Sequence, residues 1–163
     1  YWGTSQLGYS REQFLWLQMA GVVFFGLTIP FAALYADRHG RRRAMVVATL
    51  AIIVFGLLFA PLFVAGSLAG TLLFLVLGLG LMGLTYGPVG TLLAEQFPAR
   101  VRYTGASLAF NLSGIFGASL APYIATWLAG SFGLQWVGYY LASAALLSLV
   151  ALLCVRERTA MEA

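Results

Sequence analysis

Ala36-Asp37-Arg38-His39-Gly40-Arg41-Arg42-Arg43 is a charged stretch set between two apolar runs, each long enough to cross a bilayer. It holds four of the chain's nine arginines. Upstream, Phe14 to Ala36 has only Gln18 and Thr28 as clear polar residues. Downstream, Ala44 to Ala65 is apolar apart from Thr49. About 20 apolar residues span a hydrocarbon core as a helix. The stretch therefore reads as a loop joining two membrane helices.

The wider composition agrees. Hydrophobic residues make up 61% of the 163 and charged residues 9%, where a soluble domain carries roughly 25% charged. A water-facing core is excluded on that ground. The formal charge of +4 comes from arginine alone, since there is no lysine. Nucleic-acid binding needs a basic stripe on a solvated surface. Here the arginines lie between apolar runs, so they read as orientation signals in a membrane, and no nucleic-acid partner is expected. Cys154 is the single cysteine and makes no internal disulfide.

Working outward, Ser10-Arg11-Glu12-Gln13 has the residues of a capping box, which predicts a helix from Arg11 to Ala36. Pro30 is expected to kink it. Five spans follow at about 11–36, 44–65, 71–94, 105–129 and 137–155. The third carries Gly80, Gly83, Gly87, Gly90 and Ala94 at intervals that share one helical face, where a second backbone can approach. Gly87-Pro88 is expected to break that helix. The fourth carries Gly114, Gly117, Ala121 and Ala125 in the same manner, with Pro122 to bend it. Uncharged turns are expected at 66–70 and 131–135, and a second charged loop at 95–103. The chain opens Tyr-Trp-Gly with no initiator Met and no signal-peptide pattern, and reads as the C-terminal part of something longer.

Alternating spans put Arg38, Arg41, Arg42, Arg43, Arg100, Arg102, Arg156 and Arg158 on one side and leave Arg11 opposite. Positive charge marks the cytoplasmic face, so the C-terminus is expected there. Helix dipoles favour anions at N-termini and cations at C-termini. Arg41–Arg43 open a helix and Asp37 closes one, so neither placement favours its own helix. Two readings follow: the arginines serve topology alone, or Asp37 and Glu95 pair with Arg38, Arg41, Arg42, Arg100 and Arg102 to latch helix ends together.

Ala36-Asp37-Arg38-His39-Gly40-Arg41-Arg42 resembles the signature loop of the major facilitator superfamily, Asp-Arg-x-Gly-Arg-Arg between two membrane helices. Tyr86-Gly87-Pro88, followed by Ala94-Glu95-Gln96-Phe97-Pro98-Ala99-Arg100-Val101-Arg102-Tyr103-Thr104-Gly105-Ala106-Ser107, is similar to its metabolite–proton symporter group. That group includes carriers of dicarboxylates, shikimate, and proline or betaine. The resemblance covers essentially the whole chain. It implies an all-α membrane protein, the C-terminal six-helix half of such a transporter, with five complete helices and the tail of a preceding one. Its partners would be the bilayer, an N-terminal half and a small-molecule metabolite; its place would be the plasma (inner) membrane. Ala33 stands where the family loop usually has Gly, which leaves less room for close helix contact. The resemblance also supports the latch through Asp37, Arg38, Arg41, Arg42, Glu95 and Arg102.

Transporter sites lie near the bilayer midplane between two halves. No Asp, Glu, Arg or His lies deep in any of the five spans. Ser107 and Asn111, four residues apart, share a face; Thr85 and Tyr86 sit beside Gly87-Pro88. These four are the candidate substrate pathway. A proton-carrying carboxylate is expected outside this chain. No cofactor is expected beyond a proton gradient, and no metal: one Cys and one His cannot close a zinc site. No catalytic constellation can be assembled, so enzyme chemistry is not expected. The expected function is proton-coupled secondary active transport of a small polar metabolite, an organic acid or osmolyte, by alternating access. A facilitator or exporter on the same scaffold, and a structural or receptor-like membrane subunit, are the alternatives.

Overall fold

The computed structural model describes residues 10–63 and 68–154. Among them there is no strand. The helices are α1 (Arg11–His39), α2 (Arg41–Leu57), α3 (Phe59–Phe63), α4 (Leu68–Glu95), α5 (Arg102–Gly114), α6 (Ala121–Ser131) and α7 (Leu134–Cys154). A π-helical segment, Ile115–Leu120, joins α5 to α6. The helices Arg11–His39, Leu68–Glu95, Arg102–Ser131 and Leu134–Cys154 are each long and apolar enough to cross a membrane.

α1 starts where the capping box places it. Gln13 N–H donates to Ser10 Oγ at 3.2 Å, and Ser10 N–H donates back to Gln13 Oε1 at 3.3 Å. The helix stays continuous through Pro30 and is about 43 Å long at 1.5 Å per residue. Its other end corrects the expected loop. Ala36 to His39 form the last turn of α1, and Arg41 to Arg43 the first turn of α2. Gly40 alone lies between them, at φ 91°. That left-handed value suits glycine, which has no Cβ to clash. Gly40 N–H closes α1 on Ala36 O at 2.9 Å, and Gly40 O accepts from Ala44 N–H at 3.1 Å to start α2. One residue makes the whole corner, so both helices deliver charges to it directly.

The second span is also interrupted, at Leu58 (φ −91°, ψ 6°). Pro61 has no N–H to offer Leu57 O, and its ring crowds the preceding turn. The chain restarts as α3, and α2 with α3 together cover about 34 Å at 1.5 Å per residue. Residues 64 and 65 of the expected span, and residues 66 and 67 of the expected 66–70 turn, lie outside the described residues; residues 68–70 are not a turn but the first turn of α4.

Gly87-Pro88 does not break α4, which runs unbroken from Leu68 to Glu95 with Pro88 buried. The glycines matter here for packing. A Cβ on Gly87 would come within 2.8 Å of Ile29 O, and one on Gly83 within 2.6 Å of Phe25 O. α1 thus lies backbone-close along α4, with Ala32 and Ala33 against Gly87. Gly90, on the same stripe, meets nothing within 4 Å.

Pro122 disturbs the next span. It offers no N–H to the carbonyl of Ala118, so the turn before it widens to π geometry. Gly114 and Gly117 meet nothing within 4 Å, and no residue from Arg102 to Ser131 is buried. At the 131–135 turn, Gly133 takes φ 97°, and Leu128 O accepts from both Phe132 N–H (2.9 Å) and Gly133 N–H (3.1 Å).

α2 packs on both α4 and α7. Two apolar clusters hold these helices. Phe55, Phe63, Phe74 and Leu134 form one, with the Phe63 and Phe74 rings 4.6 Å apart. Met45, Leu92 and Leu152 form the other, at the arginine-bearing end.

Candidate functional site: a charged rim

The helix ends at Asp37, Arg41 and Glu95 meet on one rim. Arg41 Nη2 lies 3.7 Å from Asp37 Oδ1, one helical turn back across the Gly40 corner. Its Nη1 pairs with Glu95 Oε1 at the last residue of α4. A single guanidinium therefore ties the end of α1, the start of α2 and the end of α4. The fork of donors on arginine suits such two-sided pairing. The Asp37 side chain is 62% exposed and that of Glu95 42%. Ion pairs in that setting are worth about 0–1 kcal/mol, so the clamp is weak enough to open.

The remaining arginines do different things. Arg42 turns to α7: its Nε donates to Leu152 O at 2.9 Å and its Nη2 to Leu153 O at 2.6 Å. Arg102 Nε donates to Phe97 O at 3.4 Å within the turn between α4 and α5. Among the described residues, no carboxylate pairs with Arg38, Arg100 or Arg102. The turn is fitted by Gly105, where any Cβ would overlap the Phe97 ring. His39 stacks on Tyr35 with ring centroids 4.4 Å apart.

The four pathway candidates do not converge. Asn111 Nδ2 donates to Ser107 O at 2.8 Å and lies 3.4 Å from Ser107 Oγ, so these two meet on the exposed face of α5. Thr85 Oγ1 donates to Met82 O at 2.8 Å and lines a crevice of about 690 Å³ between α2, α4 and α7. Met45, Thr49, Leu141, Ala145, Ser148 and Ser113 line it too, and its wall is mostly apolar. Tyr86 packs edge-on against Phe25, centroids 5.7 Å apart. Sequence reasoning missed the contact of Gly56 with Gly138, where a Cβ on Gly56 would lie 2.9 Å from Gly138 O. A lone glycine in each of two helices was the available signal.

These features define a class: an integral membrane bundle whose helix ends are tied by charges at one rim. The sequence model of the Major Facilitator Superfamily matches residues 3–163, and the chain belongs to that family. Over 152 residues it is 52% identical to the inner membrane metabolite transport protein YhjE of Escherichia coli (strain K12), covering 93% of this chain and 34% of that protein. It is 29% identical over 163 residues to the shikimate transporter of the same organism, covering 96% and 36%. It is 28% identical over 161 residues to the proline/betaine transporter, covering 94% and 31%. The chain thus spans about a third of the length of these relatives, which are named as transport proteins rather than enzymes. No solved structure matches it.

Proposed function

We propose that this chain is part of a secondary active transporter of a small polar metabolite, coupled to protons and working by alternating access in the inner membrane. The observation that carries this reading is the Arg41 clamp. It joins three helix ends through exposed, weak pairs, as a gate that opens and closes requires. The family assignment and the names of the relatives support it.

In this reading the arginine-rich rim faces the cytoplasm, and with it the C-terminus. Asp37, Arg41 and Glu95 hold the cytoplasmic side shut in one state and separate in the other. The five spans work as the C-terminal half, rocking against an N-terminal half about a midplane site. The exposed face of α5, with Ser107 and Asn111, is the surface turned to that half and to substrate. The proton is carried by a carboxylate of the other half, since Glu12, Asp37 and Glu95 lie at the ends of the described spans and none lies deep within them.

The test is uptake of labelled metabolites into vesicles carrying the full-length protein, with and without an imposed proton gradient. Saturable, gradient-dependent uptake of an organic acid or osmolyte is expected. Saturable uptake indifferent to the gradient would refute proton coupling and favour a facilitator. No uptake by folded protein across a broad panel would move the reading to export or to a structural subunit.

A further inference from the structure

Arg41 and Arg42 are neighbours on the first turn of α2, yet they reach different helices. Arg41 goes to carboxylates at the ends of α1 and α4, and Arg42 to carbonyls near the carboxyl end of α7. A carbonyl has two lone pairs and accepts a side-chain donor even when a backbone N–H already uses it. The carboxyl end of a helix also attracts a cation through its dipole.

The antiparallel seam between α2 and α7 has a second fixed point. Gly56 meets Gly138 backbone to backbone. Fourteen residues separate Arg42 from Gly56, and fourteen separate Gly138 from Leu152. Both contacts therefore belong to one register, about 21 Å apart along the seam at 1.5 Å per residue. A glycine–glycine crossing has no side chains to interlock, so it sets the distance between helices but resists sliding poorly. Directional hydrogen bonds from a guanidinium resist it well.

We infer that Arg42 is a positioning residue that pins the axial register of α7 against α2, through the carbonyls of Leu152 and Leu153. The two arginines then divide the labour at one helix start. Arg41 makes the joint that opens, and Arg42 makes α2 and α7 travel as one body when it does. This mechanical role rests on the transport reading; the register itself does not.

The register predicts that Thr49 and Ala145 face each other, each seven residues in from the Arg42–Leu152 contact. Both are buried and both line the crevice. Leu141 and Ser148, about one turn to either side, line it as well. The experiment uses the full-length protein with Cys154→Ser, and cysteine pairs at 49/145, 49/141 and 49/148 joined by a short bifunctional thiol reagent. With Arg42 present, 49/145 is expected to join fastest. Arg42→Ala is expected to cut that preference about ten-fold as charge-assisted bonds are lost, with one of the flanking pairs gaining. Arg42→Lys, which keeps the charge and a donor, is expected to restore most of it. An unchanged preference for 49/145 in Arg42→Ala would overturn the inference. So would an equal loss at all three pairs in folded protein, because that marks general packing rather than register. Uptake measured on the same samples separates the two claims: a parent protein that transports nothing defeats the transport reading and leaves the crosslinking pattern to decide the register.

Discussion

Two stretches carry small residues at nearly the same spacing and end in opposite situations. On α4, Gly83 and Gly87 lie so close to α1 that a single Cβ would strike backbone. On the Arg102–Ser131 span, Gly114 and Gly117 meet nothing, and no residue is buried. The pattern in the sequence is the same because it records only that a backbone is able to come close. Which backbone comes is decided elsewhere. α1 reaches α4 where its Ala32 and Ala33 present small side chains to Gly87. The second stripe has no such neighbour among the described residues. In a bilayer its apolar side chains face lipid or another protein surface, and in the proposed transporter part of that surface is the other half.

The contrast is open to attack by substitution. The largest effect is expected at Gly83. Gly83→Leu in the full-length protein forces α1 away from α4 and is expected to cost about 3 kcal/mol or more, read as lost thermal stability or lost expression in detergent. The same change at Gly90, which meets nothing, is expected to be far milder; equal damage at both would show that α1 does not lie where the structure places it. A middle effect is expected at the rim. Glu95→Gln removes a partner worth about 0–1 kcal/mol, so the open and closed populations should shift by no more than about five-fold, read by cysteine labelling at the rim, with little change in melting temperature. The smallest effect is expected at Gly117. Gly117→Ala is expected to change stability by at most about 1 kcal/mol, the size of the helix-propensity difference, as measured by thermal melting. A large loss there in the full-length protein would show that another helix covers this stripe as closely as α1 covers Gly83.

Much of the architecture was legible before any coordinates. Ser10 and Gln13 mark the start of α1 because capping is local chemistry within four residues. The apolar runs mark the spans because the bilayer sets their length. Glycine and proline were harder to read. Gly40 makes a corner out of one residue, although eight charged and small residues looked like a loop. Pro88 sits inside an unbroken helix, as Pro30 does, with α1 packed backbone-close at the neighbouring Gly87. Pro61 and Pro122 instead disturb the turn before them. Proline removes a donor in each case, so its presence alone does not tell a continuous helix from an interrupted one.

The site divides along similar lines. Charges placed at unfavourable helix ends offered Asp37 and Glu95 with any of five arginines as a latch, beside a reading as topology signals alone; the sequence did not single out Arg41. The destination of Arg42 was not legible. Its acceptors are backbone carbonyls more than 100 positions away, and a carbonyl has no identity in the sequence. Thr85, Tyr86, Ser107 and Asn111 were chosen as polar residues in apolar spans. Thr85 and Asn111 donate to carbonyls of their own helices, a common satisfaction for such groups, and Tyr86 rests on Phe25.

The central claim is that the rim charges form a gate rather than a topology signal alone. It is tested most directly by a double-mutant cycle in the full-length protein. A single cysteine replaces Ala99 on the exposed turn after α4, in a Cys154→Ser background, and its labelling rate is compared in Arg41→Gln, Glu95→Gln and the double variant. The account predicts that each single change speeds labelling, and that the double variant is no faster than the quicker single, because both remove one shared interaction. Labelling rates unchanged in all three variants, in protein that remains folded, would contradict it and leave the arginines as markers of orientation.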